Sequence, residues 1–247
     1  MNTILITGCS SGFGLETVRH FLERDWTVVA TMRTPRHDLL PDSDRLRILA
    51  LDVTDAASIA QAVAAAGSID VLVNNAGVGL LNAVEGTSMA QVREVFETNT
   101  LGTIAMTQAV LPQFRARGAG VVVNVTSTVT LRPLHLLSVY TASKAAVNAF
   151  TESLALELEP FGVRARIVLP GRAPDTAFGD NARARMGMDI PTAYVELAAQ
   201  VFARFQADEE ITQPSDVAHA VWRAATDPSC PMRLPAGADA VAWSNAG

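Results

Sequence analysis

Two rhythms of apolar residues run along this chain. Short, largely apolar runs occupy residues 3–7, 27–31, 47–51, 69–73, 121–125 and 163–169. Runs this short and rich in β-branched side chains suit parallel strands covered on both faces. Between them, apolar residues recur every three or four positions, the period of a helix with one buried face. Leu15, Val18, Phe21 and Leu22 form one such stripe, and Val147, Phe150 or Thr151, Leu154 and Leu158 another. Helices are predicted after Gly14 and over 56–66, 88–117, 140–159 and 214–226, with a candidate seventh strand at 232–235. Asn99, between Thr98 and Thr100, predicts a distortion inside 88–117, because such side chains compete for helical hydrogen bonds. Pro112 adds a kink there.

Strand and helix alternating in this way predict an α/β domain: a doubly wound parallel sheet of about seven strands with helices on both faces. The alternation fails at about 172–212, where helical stretches at 176–186 and 193–207 predict a C-terminal substrate lid over the carboxyl edge of the sheet. The tail from 237 to 247 is weakly patterned. No linker or repeat divides the chain, so residues 1–247 are read as one domain.

Composition narrows the function. The chain has 247 residues and a net charge of −6, without a run of Lys and Arg, which argues against nucleic acid as a partner. No apolar stretch nears the ~20 residues of a membrane span, and the N-terminus enters a strand too soon for a signal peptide. Cys9 and Cys230 read as free thiols of a reducing cytoplasm. His20, His37, His135 and His219 lack ligand spacing, so no metal site is expected.

The candidate chemistry begins after the first strand. Gly8-x-x-x-Gly12-x-Gly14, with Cys9, Ser10, Ser11 and Phe13 between, joins a strand to a helix. That is the opening of a dinucleotide-binding βαβ unit of the Rossmann type, although the spacing differs from G-x-G-x-x-G. Glycines let the backbone approach a pyrophosphate, and the helix N-terminus offers it unpaired N–H groups. The second strand ends in Met32-Arg33-Thr34 instead of the acid that would accept from a ribose 2′-hydroxyl. Arg33 is either a solvated arginine or a partner for a 2′-phosphate, and the missing acid favours the phosphate. Asp52-Val53 closes the third strand. Asp52 either accepts from an adenine amino group or opens the next helix, a place Thr54 and Asp55 also suit. Asn74-Asn75-Ala76-Gly77 closes the fourth with small residues that admit a cofactor. Ser127 stands at the end of the fifth strand, thirteen residues before Tyr140. It is either a cap or a hydroxyl converging on that phenol. Tyr140 and Lys144 are four apart, one turn along one helix face. An ammonium beside a phenol lowers its pKa from about 10.

Taken in order, these motifs, with Asn99 and Pro170-Gly171, resemble the short-chain dehydrogenase/reductase family over almost the whole chain. The glycine turn and Ala30-Thr31-Met32-Arg33 are similar to members related to 17β-hydroxysteroid dehydrogenases and to bacterial carbonyl reductases. The resemblance implies an NADP(H)-dependent oxidoreductase, with NAD(H) as second cofactor, acting on a small-molecule ketone or secondary alcohol. It implies Tyr140 as general acid/base, Lys144 lowering its pKa and holding the nicotinamide ribose, Ser127 polarising the carbonyl, and Asn99 keeping a water in a proton relay. Asp52 would meet the adenine, Asn74, Asn75, Ala76 and Gly77 line the cofactor, and Pro170-Gly171 meet the nicotinamide. It also implies a homodimer or homotetramer through helices around 99–117 and 140–159. Two positions depart from the family pattern: Thr176 lies five residues after Gly171, not four, and Ser11 replaces a basic residue before Gly12. Bulky apolar ketones are the expected substrates, with Leu134, Leu136, Leu137, Phe178 and Met186 shaping the pocket and His135 near it. Alternatives are a catalytically silent NADP(H) sensor or scaffold, or a 3-oxoacyl-carrier-protein reductase docking through Arg172, Arg183 and Arg185.

Overall fold

A computed structural model of the chain describes residues 2–174, 176, 190–207 and 210–246. Its centre is a parallel sheet of seven strands in the order β3-β2-β1-β4-β5-β6-β7. The strands are β1 (Thr3–Ile6), β2 (Thr27–Met32), β3 (Leu46–Ala50), β4 (Val71–Asn74), β5 (Gly120–Val125), β6 (Val163–Pro170) and β7 (Arg233–Ala236). Each lies within two residues of its apolar run. In β1, β2, β4, β5 and β6 the middle of the strand is almost wholly buried, as strands sandwiched between helices require.

Two helical layers cover the sheet. On one face, α1 (Gly12–Leu22) packs against a late helix, which begins at Pro214 and ends at Thr226, through Val18, Phe21, Val217 and Val221. The other face carries α2 (Ala56–Ala66), α4 (Gly102–Arg117) and α5 (Ser138–Leu158), with Ile59, Met106, Val110, Phe114, Leu154 and Leu158 in a second core. The long helical region from 88 is divided. α3 (Met89–Phe96), capped by Ser88 and Gln91, leads into a five-residue π turn, Glu97–Leu101, and then into α4. The distortion expected at Asn99 is this π turn. Within 172–212, α6 (Val195–Ala207) follows a 3₁₀ turn, Thr192–Tyr194. The expected helical stretch from 176 to 186 lies outside the described residues apart from Thr176. The late helix is α7 (Pro214–Thr226), and the weakly patterned tail folds as α8 (Ala238–Asn245).

Strand order reverses between β1 and β4. Connections leave in opposite directions there, so a crevice opens beyond the carboxyl ends of the strands. The loops after β1, β2, β3, β4, β5 and β6 all converge on it.

Candidate active site

The crevice is a continuous cleft of about 1930 Å³. Pockets for drug-sized ligands run to roughly 300–1,000 Å³, so there is room for a dinucleotide and a second molecule. One end is the glycine turn. Gly8 and Gly12 adopt φ of 74° and 55°, the left-handed region that glycine enters without strain. A Cβ on Gly8 would stand 2.7 Å from the Ala76 Cα. Thr7 explains that closeness. Its hydroxyl oxygen accepts the N–H groups of Asn75 at 3.0 Å and Ala76 at 2.9 Å. The Asn75 amide in turn donates to the carbonyls of Thr7 and Gly8. Ser11, the N-cap of α1, makes no side-chain capping bond, and the first turn carries no acid. The helix therefore presents unpaired donors to the cleft, the feature a pyrophosphate needs. Ser10, Ser11, Gly12 and Phe13 line this end. Gly14 is buried behind it, where a Cβ would collide with the Gly8 carbonyl. Thr176 also reaches the turn: a Cβ on Gly12 would lie 3.4 Å from its Cβ. The extra residue before Thr176 does not keep it from the cleft.

Arg33, exposed, and Asp52 and Val53 line the cleft beyond this turn. Asp52 does not cap α2. Asp55 does, accepting from the N–H of Ala57 at 2.9 Å. The Asp52 carboxyl is held below the usual carboxylate range by hydrogen bonds from the Thr54 N–H and hydroxyl, helped by the charge of Arg33. Asn75, Ala76 and Gly77 line the cleft, but Asn74 does not. It points into the core, donating to Asn124 at 2.9 Å and Thr107 at 3.1 Å, because side chains alternate faces along β4.

At the other end, Ser127, Tyr140, Lys144, Pro170 and Gly171 line the same cleft. Ser127 fulfils both alternatives. It caps the 3₁₀ turn Thr128–Thr130, its Oγ accepting from the Val129 N–H at 3.3 Å, and it shares a hydrogen bond with Tyr140. Burial raises the Tyr140 phenol well above its ordinary value, and the bond to Ser127 pulls the other way. Burial pushes the Lys144 ammonium down to about 8. The Lys144 Nζ donates to the Val125 carbonyl at 3.1 Å and lies 6.0 Å from the Tyr140 ring centroid. A Cβ on Gly77 would stand 3.3 Å from that nitrogen, so the amine faces the cofactor half of the cleft.

Asn99 is wholly buried and its side chain is engaged. Oδ1 accepts from the Val78 N–H at 2.8 Å, and Nδ2 donates to the Val78 carbonyl at 2.9 Å and to Ser143 Oγ at 3.0 Å. The side chain clamps the loop after β4 to the Tyr140 helix. Leu134, His135 and Leu137 line the cleft, and Leu136 does not. Leu136 takes a φ of 63° and its carbonyl accepts from the Asn82 N–H. Phe178, Met186, Arg183 and Arg185 lie outside the described residues. Sequence reasoning missed Leu81, Arg132, Val201, Asp239 and Trp243, all cleft residues, which no helical or strand period singles out. Among the described residues no cluster of metal-ligating side chains occurs and no helix is long and apolar enough to cross a membrane.

Comparison with known proteins agrees with this geometry. The sequence model of the short chain dehydrogenase family matches residues 2–187. An uncharacterized oxidoreductase, YusZ of Bacillus subtilis, is 36% identical over 238 residues, 90% of this chain and 84% of that protein. Retinol dehydrogenase 8 of Bos taurus is 40% identical over 183 residues, 68% of this chain but only 58% of that protein, so the match spans little more than half its length. A short-chain dehydrogenase structure from Streptomyces avermitilis superposes with a TM-score of 0.84 at 34% identity, covering 100% of this chain and 92% of that one. A serine dehydrogenase in complex with NADP+ gives 0.80 at 30% identity, covering 94% and 93%.

Proposed function

The chain belongs to the short-chain dehydrogenase family, and from that membership we propose that it is an NADP(H)-dependent oxidoreductase interconverting a ketone and a secondary alcohol on apolar substrates. One observation carries the reading: Ser127 and Tyr140 share a hydrogen bond at the end of a cleft whose other end is a glycine turn under an uncapped helix. NADP(H), when bound, supplies the hydride that reduces the carbonyl carbon, or accepts it in the reverse direction. The residues of the chain do the rest. The glycine turn and the α1 N-terminus take the pyrophosphate, and Asp52 takes the adenine amino group. Arg33 takes a 2′-phosphate, supported by the missing acid after β2 and by the serine dehydrogenase solved with NADP+.

Tyr140 hands its proton to the carbonyl oxygen in reduction and takes it back in oxidation. Ser127 is suited to polarise that oxygen. Its Oγ accepts from the Val129 N–H, which orients the hydroxyl beside the phenol it is bonded to. Lys144 brings a positive charge to the ribose side of the cleft, and that charge favours the phenolate that burial alone disfavours. Asn99 acts as a positioning residue through Val78 and Ser143. Leu81, Leu134, Leu137 and Val201 support an apolar substrate, and so does the likeness to a retinol dehydrogenase. The outer sides of the helices following Asn99 support assembly as a dimer or tetramer, with Leu101 and Leu156 exposed.

The test is the loss of NADPH absorbance over a panel of apolar ketones, with NADH in parallel. NADPH is expected to be preferred. Tyr140→Phe should lower turnover about 10²–10⁴-fold, the range for a lost general acid, while NADPH binding persists. Full turnover in that variant would remove Tyr140 from the chemistry. Tight NADPH binding with no turnover on any ketone would favour a sensor.

A further inference from the structure

We infer that Asp239 is a positioning residue for the nicotinamide end of the cleft, holding the Gly171–Arg172 backbone in place from the C-terminal helix; the inference rests on the NADP(H) reading above. Asp239 stands in the first turn of α8 and is only 7% exposed. Oδ2 accepts the Arg172 N–H at 2.6 Å. Oδ1 accepts the Thr212 hydroxyl at 2.7 Å and the Ala240 N–H at 2.9 Å. Thr212 Oγ1 also lies 2.8 Å from the Ala236 carbonyl, but it has one proton and the carboxylate is the stronger acceptor. That same oxygen accepts the Gly171 N–H at 2.9 Å, and the Thr212 N–H goes to the Arg172 carbonyl at 2.7 Å. Both ends of the 172–212 segment are thus fastened to one carboxylate.

The surroundings leave this strap no slack. A Cβ on Gly171 would fall on the Asp239 carboxylate, and one on Gly237 would fall on Thr212 Oγ1. One turn beyond Asp239 on α8, the ring of Trp243 lies beneath the Arg132 guanidinium, 5.5 Å from its centroid. Arg132 follows the turn that Ser127 caps. A single short helix therefore touches the wall that carries Gly171 and the wall that carries Ser127. Asp239 itself is a cleft residue, yet the reaction assigns it no proton and no substrate atom. It acts through the backbone at 171 and 172.

Asp239→Asn separates this role from general support. The retained amide oxygen still serves Thr212 and Ala240, while the new NH2 meets the Arg172 N–H, donor against donor. Loss of a hydrogen bond to a charged acceptor should weaken NADPH binding about tenfold and lower kcat to a similar degree. Affinity for adenosine 2′,5′-bisphosphate, which occupies the adenine half alone, should stay within about twofold of the parent, as should that half's contacts with Arg33 and Asp52. Gly171→Ala pushes the same strap from its other side and should give the same split. Adding Gly171→Ala to Asp239→Ala, where the vacated space admits the methyl, should cost little beyond Asp239→Ala alone. If Asp239→Asn fails to fold, the Gly171→Ala comparison decides. Unchanged NADPH affinity in the variants, or a parallel loss of both ligands, overturns the positioning role alone. A parent protein that fails to bind NADPH overturns the cofactor reading and this inference with it.

Discussion

Lys144 is the only lysine in the chain; the other eighteen basic residues are arginines. Its amine is buried and pushed down to about 8 by that burial. The sign of the consequence follows from proton counting. An unfolded lysine titrates near 10.4, so between pH ~8 and ~10.4 the unfolded chain binds the extra proton and stability gains as pH rises. Below ~8 both states are protonated and the burial penalty is felt in full. The stability of the parent minus that of Lys144→Met should therefore rise across this window, by about 3 kcal/mol at most. Urea unfolding at several pH values measures it, and taking the difference removes the opposing contribution of Cys9, whose thiol burial pushes up to about 12. With ¹³C-lysine incorporated, a single Lys144 signal reports the titration directly. A midpoint near 10 would show that the amine is not desolvated. NADPH should raise the midpoint, because bound phosphates favour the ammonium.

At the scale of elements, the π turn Glu97–Leu101 decides where Asn99 points. One extra residue in the helix turns the side chain inwards, where it satisfies both backbone groups of Val78 and reaches Ser143. Asn99→Ala leaves those buried groups unpaired and should destabilise the fold by about 1–3 kcal/mol. Turnover should fall by more than this stability loss explains, since Val78 lines the cleft and Ser143 donates to the Tyr140 carbonyl. Thermal melts beside kcat measurements separate the two effects, and a variant equal to the parent in both would refute the clamp. The distortion was legible in the sequence because Thr98-Asn99-Thr100 is a local signal. Gly8, Gly12, Ser127, Tyr140 and Lys144 were legible for the same reason: spacing within one turn or one strand end carries the information. Asp239 was not, since its partners Arg172 and Thr212 stand 67 and 27 residues away. The turning of Asn74 into the core was likewise hidden until the end of β4 was fixed: the run read as 69–73 ends one residue later, and with it the alternation of faces.

For the whole molecule, the strand order sets the cleft and leaves the outer sides of two helices unused. β1 and β4 part at the reversal, and everything the chemistry needs reaches the crevice from the loops beyond the strand ends. The 99–117 and 140–159 helices cover the opposite face from α1 and α7 and bury their inner stripes against the sheet. Their outward residues are unusual for a solvated surface: Leu156 is 73% exposed, Leu101 49%, and Phe161, just past α5, 42%. Single exposed apolar side chains need no explanation, and these three are where the assembly proposed above would be tested. Assembly through them would also hold α5, and with it Tyr140 and Lys144, from behind. Leu156→Glu puts a charge at the most exposed of the three. Light scattering should then find the parent as a dimer or tetramer and the variant shifted towards monomer. Turnover should fall in step with dissociation and recover as protein concentration rises. A parent that is monomeric at every concentration tested would show that α5 holds Tyr140 and Lys144 by its contacts within one chain alone.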